Sequence, residues 1–265
     1  MFSRSQLAKK YLHYRLTASS GRGHGVHSPF VFDFIEQVLN DKKRYPIYSL
    51  IENQRRKLLS DDTRIPVEDM GAGSAVIKTS ERVVKQIARS SLKPKKYAQL
   101  LFRIARYYKP KTIIELGTSF GITSAYLAAA NPAVKLLTCE GSKSIAAIAR
   151  RNFAELELEN IHLAEGDFSQ TLPPLLHTLW QVDLAFVDGN HRKEPTLDYF
   201  QQLLDHSTAS SIFIFDDIHW SAGMEEAWET IKQHPSVTLT IDLFFIGLVF
   251  VNPDFKSPQH FSIRF

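Results

Sequence analysis

Cysteine and long apolar runs are scarce in this sequence, and each absence excludes a class of protein. Cys139 is the only cysteine among 265 residues, which excludes an internal disulfide and a cysteine-based metal cluster. No apolar run approaches the roughly 18 residues that would indicate a membrane-spanning helix. The basic N-terminal segment also lacks the continuous apolar core of a signal peptide. We therefore expect a cytoplasmic protein without a membrane span.

The composition is otherwise that of an ordinary globular protein. Hydrophobic residues make up 44% of the chain and charged residues 23%, without an internal repeat or a low-complexity segment. A chain of 265 residues can hold one good-sized domain plus an extension. We predict a basic, mainly helical N-terminal extension over residues 1–93, a main α/β domain over 94–252, and a C-terminal tail over 253–265 that adds an edge strand.

The small net charge of +4 hides a basic front and an acidic back. Residues 1–110 carry 22 Lys and Arg against 9 Asp and Glu, whereas residues 111–265 carry 10 against 19. A basic front can meet an anionic partner such as nucleic acid, a membrane surface or a phosphorylated substrate. The simpler alternative is a set of solvated helix faces beside an acidic domain, and the sequence favours that alternative.

The stretch at 112–130 organises the rest of the chain. It predicts a buried strand, a turn bracketed by Gly117 and Gly121, and the start of a helix. Such a turn is expected to leave backbone N–H groups free, where polar ligand groups dock. Its spacing is Glu-x-Gly-x-x-x-Gly, unlike the Gly-x-Gly-x-x-Gly that cradles a dinucleotide. Glu115 would repel a pyrophosphate and suit a positively charged ligand, which disfavours a nicotinamide dehydrogenase.

An earlier glycine turn, within 65–74, looks similar but lacks a partner acid. A strand that binds a nucleotide is followed, about 20 residues on, by an acidic residue that holds the ribose hydroxyls. At the corresponding distance past Asp69 the chain reads KQIARSS, with no acid and no strand, and residues 80–87 are predicted to be helical. The strand after Glu115 instead ends at Glu140. We therefore place the cofactor site at the turn that follows Glu115.

From residue 112 onward, predicted strands and helices alternate. The predicted strands are 112–116, 134–140, 161–164, 184–187, 212–215, 237–243 and 247–251. The predicted helices are 122–130, 143–156, 172–179, 195–204 and 224–233. The alternation indicates a parallel sheet with helices on both faces, and the short last connection makes the final two strands antiparallel. The predicted fold class is therefore α/β, with a Rossmann-like, seven-stranded, mostly parallel sheet that ends in an antiparallel hairpin.

This pattern carries a family resemblance. Residues 94–252 resemble the class I S-adenosylmethionine-dependent methyltransferases, whose sheet ends in such a hairpin. Within them the chain is similar to the metal-dependent O-methyltransferases, the group of catechol, caffeoyl-CoA and macrolide sugar enzymes. The resemblance implies S-adenosylmethionine as the cofactor, bound at the carboxyl ends of the strands. Residues 1–93 lie outside the resemblance and receive no catalytic role from it.

The resemblance assigns cofactor contacts to a set of residues at three strand ends. These residues are Glu115, Gly117, Ser119, Gly121, Glu140, Asp167 and Phe168. The first four match the motif that wraps the methionine part of the cofactor. Glu140 matches the acid that accepts both ribose hydroxyls in a bidentate manner. Asp167 would accept from the amino group of adenine, and Phe168 would pack on its ring.

Acidic residues also end two later strands. Asp188 ends the fourth predicted strand, and Asp216 and Asp217 end the fifth. Three carboxylates that converge at one sheet edge repel one another unless a cation lies between them. Oxygen ligands favour Mg²⁺, or Mn²⁺ or Ca²⁺, over zinc. The resemblance implies that all three are metal ligands, and the acidic pair points toward the sugar enzymes. The alternative is that Asp217 caps the following helix and Asp188 supports the loop.

His191 is the candidate general base. It lies three residues past Asp188, where catechol-type enzymes carry a lysine and the macrolide sugar enzymes a histidine. A neutral imidazole can take the proton from an acceptor hydroxyl as the methyl group is transferred. The alternative is a supporting or surface residue. We expect Asn190, His219 and Trp220 to line the same pocket.

The predicted function is S-adenosylmethionine-dependent, Mg²⁺-assisted O-methylation of a small hydroxylated acceptor, with Asp188 and His191 as catalytic residues. Two alternatives stay open. One is a methyltransferase that acts on RNA or another macromolecule through the basic front, and the other is a cofactor-binding protein without catalysis. An extension of this size commonly packs against a partner or covers the pocket, so a homodimer and a covered pocket are both open.

Overall fold

The computed structural model describes residues 1–69 and 78–265 of the chain. The chain divides into one unit built from Met1–Asp41 and Leu179–Phe265 and another built from Lys42–Thr178. We call the first the terminal unit, because it contains both ends of the chain, and the second the central unit.

This division follows spatial packing and differs from the segments predicted at 1–93, 94–252 and 253–265. The first 41 residues pack with the last third of the chain, although they lie far from it in sequence. The predicted segments were drawn from pattern and family resemblance, so their functional meaning stays a prediction.

Helices and strands alternate from residue 112 onward, as predicted. The helices, in chain order, are α1 (Arg4–Thr17), α2 (Pro29–Phe34) followed by a π-helical segment (Ile35–Leu39), α3 (Pro46–Ser60), α4 (Val84–Ser91), α5 (Lys95–Tyr108), α6 (Ile122–Ala129), α7 (Lys143–Glu155), α8 (Phe168–His177), α9 (Lys193–Leu204) and α10 (Ala222–Lys232). The strands are β1 (Arg64–Asp69), β2 (Lys78–Val83), β3 (Thr112–Leu116), β4 (Lys135–Glu140), β5 (Ile161–Glu165), β6 (Leu184–Val187), β7 (Ile212–Asp216), β8 (Leu239–Asp242), β9 (Ile246–Phe250) and β10 (Gln259–Ser262). Every strand and helix predicted after residue 112 is present, with ends that differ by at most four residues.

Strands β3, β4 and β5 of the central unit are parallel and lie side by side in that order. Beyond its first residue β3 is fully buried, as its apolar sequence requires. The register pairs Leu116 with Cys139 and Glu140 with Glu165, so the three strands end together. This common carboxyl edge is where open α/β sheets bind their ligands.

The terminal unit has the strand order β10-β8-β9-β7-β6. Strands β6 and β7 are parallel, whereas β9 is antiparallel to both β7 and β8, which confirms the predicted terminal hairpin. Strand β10 pairs in parallel with β8 and is the edge strand expected in the tail. Apart from β1 and β2, the described residues form eight strands. Seven of them are the strands of the predicted sheet, and the edge strand β10 is the eighth. The mostly parallel α/β fold class is confirmed.

Helix α10 packs directly on the middle of the hairpin. A Cβ atom at Gly247 would lie 2.6 Å from the Trp228 ring, so only glycine permits this approach. On the same unit Phe200 makes edge-to-face contacts with Phe213 and Phe215 of β7, at centroid distances of 6.2 and 6.1 Å. These contacts fix β7, which carries one of the candidate site residues at its end.

The helix predicted at 80–87 is wrong in its first half. Strand β2 pairs with β1 in an antiparallel ribbon, and α4 begins only at Val84. Local sequence around Ser80 does not exclude a helix, but pairing with a neighbouring strand overrides local propensity. The N-terminal segment is thus mainly helical but includes this ribbon. The strand predicted at the start of 65–74 is present as β1, and the glycine turn that follows it lies outside the described residues.

No helix in the described ranges combines the length and the apolar character that crossing a bilayer requires.

Candidate functional site

The turn after β3 is built from backbone conformations that favour glycine. Gly117 has a φ of 102° and Gly121 a φ of 79°, while Ser119 between them has a φ of 48°. A Cβ atom at Gly121 would lie 2.4 Å from the Phe153 ring of α7, so this position needs glycine on both grounds. The sequence prediction that these glycines bracket a tight turn is confirmed.

Several N–H groups of the turn donate to backbone carbonyls, whereas the sequence led us to expect free N–H groups. The N–H groups of Gly117 and Thr118 both donate to the carbonyl of Cys139, at 3.0 Å each. Gly121 N–H donates to the Thr118 carbonyl at 2.9 Å. The expectation was wrong for these groups because the turn folds back onto the end of β4.

Glu140 is fixed at the end of β4 by two backbone donors. Its Oε2 accepts from Ser119 N–H at 2.9 Å and its Oε1 from Ser142 N–H at 3.0 Å. Burial raises the pKa of Glu140, and these backbone donors oppose the shift. Because a carboxylate can accept about four hydrogen bonds, acceptor capacity remains beside these donors and the N–H of Gly141, which also opposes the shift. The residue therefore fits a pair of neighbouring hydroxyls, and its assignment to the ribose stays a prediction.

Glu115 lies in the interior rather than on the rim. Its side chain is 0% exposed, and its Oε2 accepts hydrogen bonds from Ser124 Oγ and, at 2.6 Å, from Thr138 Oγ1. Its Oε1 is buried and has no hydrogen-bond partner among the described residues. Burial raises the pKa of Glu115 from 4.5 to about 7. The predicted repulsion of a pyrophosphate is thus weaker than a full charge would give, and the buried Oε1 is not accessible to a ligand at the surface of the turn.

Asp167 and Phe168 stand at the start of α8. Asp167 is the N-cap, and its Oδ1 accepts from the N–H of Ser169 at 2.8 Å and from its Oγ at 2.6 Å. Phe168, the first helical residue, is partly buried. Sequence reasoning missed the capping role, which the pattern Asp-x-Ser before an apolar helix could have indicated. The adenine contacts of both residues stay predictions.

Three predicted site residues of the terminal unit come together. The parallel register pairs Val187 with Phe215, so Asp188 and Asp216 follow at neighbouring strand ends. One ligand atom from each of Asp188, His191 and Asp216 lies within 4.8 Å of the other two. His191 Nε2 is 3.8 Å from Asp188 Oδ1. Asp216 is 1% exposed, so an uncompensated charge there would be costly. Two carboxylates and an imidazole at this separation fit a divalent cation.

Asp217 does not belong to that group of three. Its φ is 52°, and its N–H donates to the carbonyl of Phe245 at 2.7 Å. The alternative that Asp217 caps the following helix is wrong, because Ser221 is the N-cap of α10 and accepts from Met224 N–H. The predicted ligand set of Asp188, Asp216 and Asp217, with His191 as the base, stays a prediction.

Two of the residues expected to line the pocket have partners that the sequence did not indicate. Asn190 donates from Nδ2 to the Tyr199 hydroxyl at 3.1 Å. His219 lies between two carboxylates, with Nδ1 3.0 Å from Glu225 Oε1 and Nε2 2.8 Å from Asp242 Oδ2. Burial lowers the pKa of His219, but the hydrogen bonds and charges of Asp242 and Glu225 outweigh it and leave the pKa above its usual value.

Comparison with known proteins gives this geometry a family context. Residues 114–218 match the family model described as a methyltransferase domain. The matched segment contains every residue that the sequence assigned to cofactor, metal or catalysis. The predicted resemblance to methyltransferases is confirmed.

Two curated relatives and one solved structure are similar to the chain. A catechol O-methyltransferase of Niastella koreensis is 30% identical over 46% of this chain and 55% of its own length. A tRNA (guanine-N(7)-)-methyltransferase of Mycoplasma mobile is 28% identical over 49% of this chain and 73% of its own length. The O-methyltransferase TomG of Streptomyces achromogenes, solved with S-adenosylmethionine, is 24% identical over 63% of this chain and 86% of its own, with a TM-score of 0.55.

The similarities differ in what they support. The chain spans little more than half of the length of the catechol enzyme. The likeness to TomG concerns the fold, because the sequence identity is low. Residues 114–218 therefore match a methyltransferase domain, and these similarities identify neither the acceptor nor a metal.

Substituting Glu115 by Gln should change how stability depends on pH. Because the folded state binds the Glu115 proton more tightly than the unfolded state, this carboxyl stabilises the fold below pH 4.5 and loses that effect as pH rises to about 7. Glu115→Gln keeps an acceptor oxygen for Ser124 and Thr138 and cannot ionise. Between pH 5 and pH 8 the wild type should lose about 2–3 kcal/mol of unfolding free energy relative to Glu115→Gln.

Urea denaturation at the two pH values measures this difference. The exposed Glu159, changed to Gln in the same unit, is the matched control and should follow the wild type. Parallel pH curves for wild type and Glu115→Gln would contradict the shifted pKa.

Proposed function

We propose that the chain is an S-adenosylmethionine-dependent methyltransferase that transfers a methyl group to a hydroxyl of a small acceptor with the help of a divalent cation, Mg²⁺ in the first instance. Two results that concern the same segment of the chain support this proposal together. The methyltransferase match covers 114–218, and within that segment Asp188, His191 and Asp216 converge into a group with the donors of a cation site.

The cofactor site would lie on the carboxyl edge of the central unit. Glu140 would accept the ribose hydroxyls, since both of its oxygens are held in place and keep acceptor capacity. Glu115 is fully buried behind the turn, so its predicted contact with the cofactor ammonium would require the turn to move and uncover Oε1. Gly117, Ser119 and Gly121 would shape the turn around the methionine part. Asp167 and Phe168, at the start of α8, would contact the adenine.

The cation site would lie in the terminal unit. Asp188 and Asp216 supply the carboxylate oxygens, and Asp217 is the third predicted ligand. When bound, S-adenosylmethionine supplies an electrophilic sulfonium methyl group and the cation supplies positive charge at the acceptor oxygen. Direct transfer requires the acceptor oxygen, the methyl carbon and the sulfur to be in line, so positioning provides much of the acceleration.

His191 would move the proton. Its Nε2 lies 3.8 Å from Asp188 Oδ1, so the carboxylate can stabilise the imidazolium that forms when Nε2 takes the acceptor proton. His191 is partly exposed, which leaves the proton a route to solvent. Since His191 also belongs to the group of three, the same geometry allows it to be a ligand.

Removing the charge of Asp188 should separate metal dependence from cofactor binding. With catechol as the probe acceptor, Asp188→Asn should lose the Mg²⁺-stimulated methyl transfer by about a hundredfold or more, because the cation loses a ligand. Its affinity for S-adenosylhomocysteine should stay within about twofold of the wild type, because no cofactor contact changes. Asp205→Asn, at an exposed position of the same unit, is the control and should behave as the wild type.

A chelator provides the second arm of this experiment. Wild-type turnover should fall on addition of EDTA and return with excess Mg²⁺. Equal turnover with and without the chelator would contradict the metal assignment. Binding of S-adenosylhomocysteine without turnover of catechol or any other hydroxylated acceptor would favour a cofactor-binding protein without catalysis.

A second candidate function is methylation of RNA. It is favoured by the similarity to a tRNA methyltransferase and by the excess of 22 basic over 9 acidic residues in the first 110. Fluorescence anisotropy of labelled tRNA should then show binding that weakens by a factor of about 10³ or more between 50 and 200 mM salt. If the anisotropy does not respond to protein at 50 mM salt, this candidate is removed and the small acceptor remains.

A further inference from the structure

We propose that α1 positions the loop at 217–221 that follows the candidate cation ligand Asp216, and that Lys10 is the residue that ties α1 to it. The inference rests on the proposed function, because it concerns the same cation site. It gives a role to the N-terminal helix, which the family resemblance leaves unassigned. All contacts involved lie within the terminal unit.

Helix α1 contacts the loop and the helix after it directly. Lys10 Nζ donates to both oxygens of Glu225, at 3.0 and 2.9 Å, in the first turn of α10. The N–H of Phe2, just before α1, donates to the carbonyl of Trp220 at 3.0 Å. The Lys10 ammonium also lies 4.5 Å from the centre of the Phe2 ring. These contacts join α1 to both sides of Ser221, the N-cap of α10.

From Glu225 a chain of charged groups continues inward. Glu225 Oε1 is 3.0 Å from His219 Nδ1, and His219 Nε2 is 2.8 Å from Asp242 Oδ2. The second oxygen of Asp242 accepts from Phe244 N–H at 2.7 Å. Three elements distant in sequence, α1, the loop after β7 and the hairpin turn after β8, are thereby linked by one series of ionic hydrogen bonds.

Two backbone conformations that side chains disfavour lie next to this series in the chain. Asp217 has a φ of 52° and Phe244 a φ of 71°, both in the left-handed region. Asp217 N–H donates to the carbonyl of Phe245, which joins the two strained turns. Tyr11 of α1 covers them, with ring centroids 5.0 Å from Phe244 and 5.8 Å from Phe245. Such conformations persist only where surrounding contacts fix them, and they concentrate at functional sites.

The expected consequence is a loss of cation affinity rather than of the fold. Strand β7 holds Asp216 through its buried backbone pairing, so the strand survives when Lys10 is changed. The turn at Asp217, one residue on, is joined to the hairpin by its hydrogen bond to Phe245, whose ring contacts Tyr11 of α1. Weakening these contacts lets the turn relax, and ligand geometry around Asp216 becomes less uniform. Lys10 and His219 are thus positioning residues, which act through their contacts with Glu225 and Asp242.

The test is Mn²⁺ binding, measured by the electron paramagnetic resonance signal of free Mn²⁺ without cofactor or acceptor. Lys10→Met removes the charge and keeps an apolar stem, and we expect about three- to fivefold weaker binding, because the ion pair is partly exposed. His219→Gln breaks the chain at its centre, and we expect about tenfold weaker binding. Lys10→Arg should restore most of the affinity. Lys9→Met, at the neighbouring exposed position, is the control and should match the wild type.

Two further readouts separate positioning from a general loss of structure. Thermal unfolding of Lys10→Met should stay within a few degrees of the wild type. Affinity for S-adenosylhomocysteine, whose proposed contacts lie in the central unit, should be unchanged. Equal Mn²⁺ affinity of wild type, Lys10→Met and His219→Gln would overturn this inference and leave the proposed function standing. Absence of Mn²⁺ binding by the wild type would overturn both.

Discussion

The common ending of parallel strands is the constraint on which both candidate sites depend. In the central unit the register pairs Glu140 with Glu165, and in the terminal unit it sets Asp188 next to Asp216. Neighbouring carboxylates repel one another unless positive charge lies between them, and Asp216 is 1% exposed, so that water screens its charge little. The fold therefore creates a deficit of positive charge at each edge. A cofactor that carries an ammonium and a sulfonium, and a divalent cation, are ligands that supply it.

The two sites meet that constraint by different means. In the central unit, backbone N–H groups hold Glu140, and hydroxyls of Ser124 and Thr138 hold Glu115, so the carboxylates are satisfied mainly by neutral donors. In the terminal unit, Asp188 faces an imidazole, and the nearby His219 is itself held by two carboxylates. The first arrangement suits hydroxyl and ammonium recognition, whereas the second suits a metal ion. This difference is the physical basis for assigning the cofactor to one edge and the cation to the other.

The sequence predicted the sheet strands well because most of their buried residues are apolar. Strands 112–116 and 184–187 were predicted with their observed ends, since each is a short apolar run that leads into a turn. The ribbon of β1 and β2 was missed because its second strand is polar and is stabilised by pairing, which local sequence does not report. The burial of Glu115 was missed for a similar reason. The sequence places Glu115 next to a glycine turn and does not show that packing against Ser124 and Thr138 buries it.

The candidate site was predictable to the extent that it lies at strand ends. Asp188 and Asp216 were identified from their positions at strand ends and His191 from the family resemblance, and the structure brings the three together. The series of contacts from Lys10 through Glu225 and His219 to Asp242 could not be predicted from the sequence. Lys10 and Glu225 are 215 residues apart, and Asp242 belongs to the hairpin. Such contacts arise from tertiary packing and leave no periodic signal. From its sequence alone, α1 is a basic helix with no indicated packing partner.

The central claim is that acids at the carboxyl edge of the central unit bind a methyl-donor cofactor, and calorimetric titration of S-adenosylhomocysteine into Glu140→Gln tests it most directly. Glu165→Gln, the register neighbour on β5, is the matched control. The account predicts measurable binding by the wild type and by Glu165→Gln, and binding at least about tenfold weaker by Glu140→Gln, because two charge-assisted hydrogen bonds are lost. Equal affinities for all three proteins, or no binding by the wild type, would contradict it.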